Sequence, residues 1–286
     1  MPLLQWRPLL TDYHVHLRPD EEGTPFDRHM TAENAERYRT VATERGIAEL
    51  GVSEHVYRFT QALQVWQHEL WVQTATDDLD EYVRFVREET DLRLGIEADF
   101  VPGREDRMAE LLDGRDWDYV VGSIHFLGDG ALDYEKYDVW ASGQSPDRVW
   151  RTYFDWLGEL AVSGMYDVLA HPDLVKHWGP EQRPWPERDR RYYYDIAIER
   201  IAESGIAVEV STAGLRKPVG EIYPDRAFLE MVVDAGNPIA LSSDAHVPDQ
   251  LGFGYEDAQK LLDDVGVTEI CVFDRRERRL EPVGAT

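Results

Sequence analysis

The sequence predicts an α/β fold, a parallel barrel of βα units whose functional site lies where the strands end. Three observations carry this. Short apolar runs alternate with stretches of helical periodicity about seven times, with connections of the length that βα units use. No linker interrupts residues 1–286, so the chain reads as one domain. Histidines and carboxylates recur at the points where apolar strands run out, and parallel barrels build their sites at those carboxyl ends.

Residues 9–17 form the first strand, an apolar start that leads into His14-Val15-His16. Alternate residues of a strand share a face, so the two histidines project together. Residues 18–30 are polar and rich in Pro, Gly, Asp and Glu, and read as a loop. Thr31 caps a helix with Ala35, Tyr38, Val41 and Ala42 on one face, and Gly46 ends it. Residues 47–53 are the second strand, followed directly by Glu54-His55. An aromatic segment with Tyr57, Phe59, Trp66, His68 and Trp71 precedes a helix capped by Thr76 or Asp77. The third strand, 92–98, carries Glu97 near its end. A short helix at 108–112 comes before strand 119–124, which delivers His125. Ser145-Pro146 opens a helix in the cap-then-proline order, and Gly164 closes it. Strand 167–170 delivers His171. A Pro- and Arg-rich loop over 174–188 leads to a helix at 192–204, stopped by Gly205. Strand 206–210, loop 211–220, helix 228–235 and strand 238–241 follow, the last ending in Ser242-Ser243-Asp244-Ala245-His246. A final helix at 255–265 and a strand at 269–273 precede a charged tail.

Composition narrows the partners. Against 30 Lys plus Arg stand 56 Asp plus Glu, a formal charge of −26. Such a field repels phosphate backbones and anionic lipid, so neither nucleic acid nor membrane is an expected partner. The only cysteine, Cys271, lies in an apolar run, which excludes an internal disulfide and points to a buried thiol. Residues 1–10 are too short and too polar for a signal peptide, and no stretch nears the roughly 18 apolar residues of a membrane span. The expected location is the cytoplasm.

The strand-end residues suggest a metal centre. His14, His16, His55, Glu97, His125, His171, Asp244 and His246 are the candidate ligands, a mixed imidazole and carboxylate set that suits zinc, iron or manganese. Asp244 and His246 repeat the alternate spacing of His14 and His16. Glu97 is an acid in the apolar run Gly95-Ile96-Glu97-Ala98; burying it is costly unless it meets a cation, and a carboxylate bridging two metals answers that cost. The competing reading is a salt-bridged barrel glutamate. His29, His68 and His177 read as surface residues.

Taken in order, His14-x-His16, His55 after a strand, Glu97 in GIEADF, His125 in GSIHFLG, His171 in AHPDL and Asp244-Ala245-His246 in SSDAH resemble the PHP (polymerase and histidinol phosphatase) family. The stretch STAGLRKP over 211–218, followed by Glu221-Ile222-Tyr223-Pro224, is similar to its free-standing histidinol-phosphatase branch. The resemblance covers residues 11–273 and implies a distorted (βα)7 TIM-like barrel around a trinuclear centre. It implies one metal on His14, His16, Glu97 and Asp244, a second on Glu97, His125 and His171, and a third on His55 and His246. The third site needs a ligand from the loop after the first strand, where relatives usually carry a histidine. This chain has Arg18-Pro19-Asp20-Glu21-Glu22-Gly23 there; Glu22 is the expected ligand, with Glu21, Asp20 and His29 as rivals. Two to three divalent ions are therefore expected.

The implied activity is hydrolysis of a small phosphate monoester, L-histidinol phosphate, in histidine biosynthesis. Two close cations lower the pKa of a bridging water, and the hydroxide attacks phosphorus. Arg216 is the expected phosphate fork and Arg183 a second one. Asp244 or His246 protonates the departing alkoxide. Loop carboxylates suit an amine on the leaving group. The alternatives are a phosphoesterase for another small ester, or an amidohydrolase-type barrel. The latter class also opens with His-x-His but usually places a bridging lysine on its fourth strand, and residues 119–126 contain none.

Overall fold

The computed structural model describes residues 9–20 and 24–283. Its strands are β1 (Leu10–Asp12), β2 (Ile47–Val52), β3 (Arg93–Asp99) and β4 (Tyr119–Ser123), a small antiparallel hairpin of β5 (Phe126–Leu127) and β6 (Gly130–Ala131), then β7 (Val168–Leu169), β8 (Ala207–Ser211) and β9 (Ile239–Ser242). Seven of them form one parallel sheet in the order β1-β2-β3-β4-β7-β8-β9. The sheet curls until its edges meet at Val15 and Ala245, where His16 N donates to Ala245 O at 2.8 Å. The result is the distorted seven-unit barrel.

Strands of such a sheet are covered on both faces, which is why they read as near-continuous apolar runs. Val120 and Ile96 face the helices, while Tyr119 and Val121 face the barrel interior. Tyr119 fits because β2 and β3 pass it with Gly51 and Gly95; a Cβ at either position would collide with its ring. Only glycine permits that approach.

The helices are α1 (Phe26–His29), α2 (Ala32–Glu44), α3 (Glu69–Thr74), α4 (Leu79–Glu89), α5 (Glu105–Leu112), α6 (Pro146–Val162), α7 (Gly179–Gln182), α8 (Arg190–Ser204), α9 (Arg226–Asp234) and α10 (Tyr255–Asp264). Thr31 accepts from Asn34 N at the start of α2, and Ser145 caps α6 ahead of Pro146. The cap of α4 is Asp78, which accepts from Asp80 N and Glu81 N; Asp77 instead pairs with Arg18.

The charged tail is a strand. β10 (Glu269–Asp274) turns through Arg275 and Arg276, both at positive φ, and pairs antiparallel with β11 (Glu277–Pro282). Two positive-φ residues match the twist of a tight hairpin, and Asp118 holds the turn by accepting from Arg275 N and Arg276 N. The hairpin closes the amino-terminal end of the barrel. Its Phe273 packs edge-on against Tyr13 at 5.4 Å and near Tyr119, and with Cys271 completes a buried inner cluster. The opposite end stays open.

Candidate metal centre

The open end is the carboxyl end of the parallel strands. His14 and His16 follow β1, His55 follows β2, Glu97 lies on β3, His125 follows β4, His171 follows β7, and Asp244 and His246 follow β9. All the strand-end candidates thus reach one place. His171 and Asp244 adopt φ of 23° and 50°, conformations that cost a residue with a Cβ and concentrate at functional sites.

Glu97 is at the centre and fully buried. Its Oε2 stands 3.3 Å from His14 Nε2, 3.6 Å from His16 Nε2 and 2.5 Å from His55 Nδ1. Its Oε1 stands 3.3 Å from His125 Nε2 and 3.2 Å from His171 Nε2. One carboxylate therefore faces two sets of imidazoles, one per oxygen. Asp244 Oδ1 lies 3.6 Å from His14 Nε2 and 3.4 Å from His16 Nε2. Four groups of three donors have their atoms within 4.8 Å of one another: His14, His16 and Asp244; His14, Glu97 and His171; His55, Glu97 and His125; and His16, His55 and His246.

The residues fit divalent ions. His14 Nε2, His16 Nε2, His55 Nδ1, Glu97 Oε2 and Asp244 Oδ1 are buried without a hydrogen-bond partner, a cost that a shared cation removes. Their ionisation states fit too. Burial opposes a charge on Glu97, but the imidazoles of His55, His14 and His125 outweigh it and hold the carboxyl well below its usual range. Asp244 is likewise held low, burial being outweighed chiefly by His14 and His16. Burial, with His55 and His246 alongside, keeps His16 neutral, the form that ligates.

A second layer orients these groups. Glu209, an acid within β8, stands 2.9 Å from His14 Nδ1 through Oε1 and accepts from His171 N at 2.6 Å through Oε2. Asp99 stands 2.8 Å from His125 Nδ1. Buried Glu54 accepts from Leu17 N and binds Arg58, whose other Nη reaches Asp20 at 2.7 Å. None of these supports was singled out from the sequence, although Glu209 in Val208-Glu209-Val210 carries the same signal as Glu97.

In the loop after β1, Asp20 Oδ2 is 2.9 Å from His246 Nε2 and Asp20 Oδ1 3.6 Å from His55 Nε2. Asp20 is thus the loop acid seen beside the His55 and His246 pair. Glu21 and Glu22 lie outside the described residues, and His29 ends α1.

A cavity of about 720 Å³ opens over the cluster. Arg18, Arg58, Asp133, His177 and Lys217 line it together with Tyr57, Phe126, Leu174 and Tyr223. His177 is buried rather than on the surface, and burial pushes its pKa down to about 4, so it is neutral at pH 7. His68 is buried as well, accepting from Leu70 N at the start of α3. The two expected arginines are placed differently. Arg183 turns away, with Nε on Asp138 at 2.8 Å and its guanidinium over Trp178. Arg216 stands behind the cavity wall: its Nη2 donates to the carbonyls of Ser243 and Asp244, while Nη1 is buried without a partner. Lys217 is the neighbour that enters the cavity.

No protein-family model matches the chain. Among curated proteins, it is 32% identical over 280 residues to a Deinococcus radiodurans protein named "Probable histidinol-phosphatase", covering 96% of this chain and 99% of the relative. It is 24% identical to the histidinol-phosphatase of Bacillus subtilis over 270 residues, 86% of this chain and 96% of that one. Among solved structures, it superposes on a histidinol phosphate phosphatase of Lactococcus lactis complexed with zinc, L-histidinol and phosphate. That match has a TM-score of 0.69 at 18% identity and covers 95% of this chain and 98% of the other.

Proposed function

The chain belongs to the histidinol-phosphatase branch of the PHP family, and from that premise we propose that it is a metal-dependent phosphatase that converts L-histidinol phosphate and water to L-histidinol and phosphate. The observation that carries the reading is Glu97, whose two oxygens each face a separate set of imidazoles at the mouth of the barrel.

Two ions would share Glu97, one held also by His14, His16 and Asp244, the other by His125 and His171. A third would take His55, His246 and Asp20. When bound, divalent ions make hydroxide available near neutral pH and polarise the phosphoryl oxygens. The chain's own groups do the rest. Lys217 supplies positive charge for the phosphate, and Arg216 braces the Ser243–Asp244 turn from behind the cavity wall. Water's oxygen bonds to phosphorus as the bond between phosphorus and the alcohol oxygen breaks, and Asp244 or His246, whose Oδ1 and Nδ1 stand 3.6 Å apart, takes up the water's proton and passes it to that oxygen. Tyr57, stacked on His55 at 4.6 Å, walls off one flank of the site. A cytoplasmic location goes with this reading.

The test is phosphate release from L-histidinol phosphate and a panel of other small monoesters, with elemental analysis of the same sample. Release should be fastest from L-histidinol phosphate and vanish on chelation. Absence of release from every ester by metal-loaded protein would end the phosphatase reading, and a clear preference for another ester would change the substrate.

The loop ligand has its own prediction. Asp20→Ala should lose about one metal per chain and much of the rate, whereas His29→Ala should lose neither. Loss of that ion in Glu22→Ala with retention in Asp20→Ala would return the assignment to Glu22.

A further inference from the structure

The charged side chains that line the cavity outside the metal cluster are not equivalent. Arg18 is spent on Asp77 and Thr24. Arg58 is spent on Glu54 and Asp20, and Asp20 on Arg58 and His246. Two remain. Among the described residues, neither Asp133 nor Lys217 has a side-chain hydrogen bond or ion pair, and both line the cavity. Among the described residues, the site therefore offers one free anion and one free cation.

Asp133 is held firmly in place. After β6 the chain folds back so that Leu132 N donates to His125 O at 2.8 Å, and Leu132 O accepts from Trp178 Nε1 at 2.7 Å. Both polar groups of the preceding residue are thus tied to segments that flank the metal cluster. Asp133 is half-buried and close enough to His125, His177 and Tyr223 to act on their ionisation. A solvated surface carboxylate without a partner is ordinary; a half-buried one that lines the substrate cavity is placed to meet a cationic group of whatever binds there. Phe126, Leu174 and Tyr223 give the same wall an apolar surface for the rest of the leaving group.

We propose that Asp133 is the specificity-determining residue of this site and receives the ammonium group of the substrate's leaving alcohol. The substrate class is then the phosphate monoester of an amino alcohol, its phosphate directed to Lys217 and the ligand cluster and its ammonium to Asp133. This rests on the phosphatase reading and deepens it: the metal centre acts on the phosphoryl group alone, and Asp133 selects esters that carry an amine.

The test compares wild type with Asp133→Asn, an isosteric change that removes only the charge, on L-histidinol phosphate and on glycerol 2-phosphate, which lacks the amine. The ratio of the two kcat/KM values should fall about tenfold or more in the variant, the scale of one charge-assisted hydrogen bond, with the change mainly in KM and metal content matched. Calorimetric titration with L-histidinol, which needs no turnover, should show binding weakened by a similar factor. An unchanged ratio with unchanged L-histidinol affinity overturns the assignment of Asp133 while leaving the phosphatase reading intact. Cleavage of neither ester by metal-loaded wild type overturns the phosphatase reading, and the titration then decides by itself whether Asp133 binds the amine.

Discussion

Glu97 and Glu209 are both acids buried in apolar strands of the barrel, and their surroundings separate their roles. Glu209 is satisfied within the protein, with Ser242 Oγ, His14 Nδ1 and His171 N around its two oxygens. Glu97 faces imidazoles on every side, and its Oε2 has no hydrogen-bond partner. If Glu97 bridges two ions as proposed, Glu97→Gln should lose bound metal and nearly all phosphate release, read by elemental analysis and by assay. Glu209→Gln should keep metal at saturating concentration but bind it, or turn over, roughly 10–100-fold less well, as is usual when a group that orients a ligand is lost. Equal effects of the two substitutions would contradict this division. From sequence, Ile96-Glu97-Ala98 and Val208-Glu209-Val210 present the same pattern, because the partner that distinguishes them comes from other strands. That the candidate histidines would meet was legible for a simpler reason: each ends an apolar run, and a parallel barrel gathers such ends. Arg183 was not, since nothing in its Pro-rich loop says whether it will turn toward the cavity or stack on Trp178.

At the scale of elements, the parallel strands were readable because burial on both faces makes them continuous apolar runs, and the helices because caps such as Thr31 and Ser145 mark their starts. The terminal hairpin escaped this reading. β11 runs Glu-Arg-Arg-Leu-Glu-Pro, is almost wholly exposed and lacks an apolar face, so its pairing with β10 has no local signature. Its importance shows in packing. Phe273 and Cys271 close the floor of the barrel beneath Tyr13 and Tyr119, and neither lines the cavity over the candidate ligands. Phe273→Ala should cost about 3–5 kcal/mol of stability by leaving a cavity there, measured by denaturant unfolding, while the folded fraction keeps its full metal complement. Cys271 reports on the same floor: burial pushes its thiol pKa up to about 12, so it should resist thiol reagents in the native protein and react faster in Phe273→Ala. Rapid labelling of the wild type would mean that the hairpin opens readily.

The whole molecule opposes its own substrate. The chain carries a formal charge of −26, and the two or three divalent ions of the proposed centre would reduce it only to about −22 or about −20. Arg18 and Arg58 at the cavity are already neutralised by Asp77, Glu54 and Asp20, which leaves Lys217 as the uncommitted cation of its lining among the described residues. An approaching phosphate ester is therefore repelled over the long range and attracted only once inside. Salt acts differently on these two terms. The Debye length shrinks from about 30 Å at 0.01 M to about 8 Å at 0.15 M, which screens the distant surface charges well but the contacts within the cavity poorly. Raising ionic strength over that range, at fixed free metal, should increase kcat/KM by roughly 2- to 10-fold while kcat stays level. The increase should be larger for a dianionic ester such as glycerol 2-phosphate than for L-histidinol phosphate, whose ammonium offsets part of the repulsion. A steady fall in kcat/KM with salt would mean that Lys217 and the bound ions govern the approach, and that the acidic surface is too far from the cavity mouth to matter.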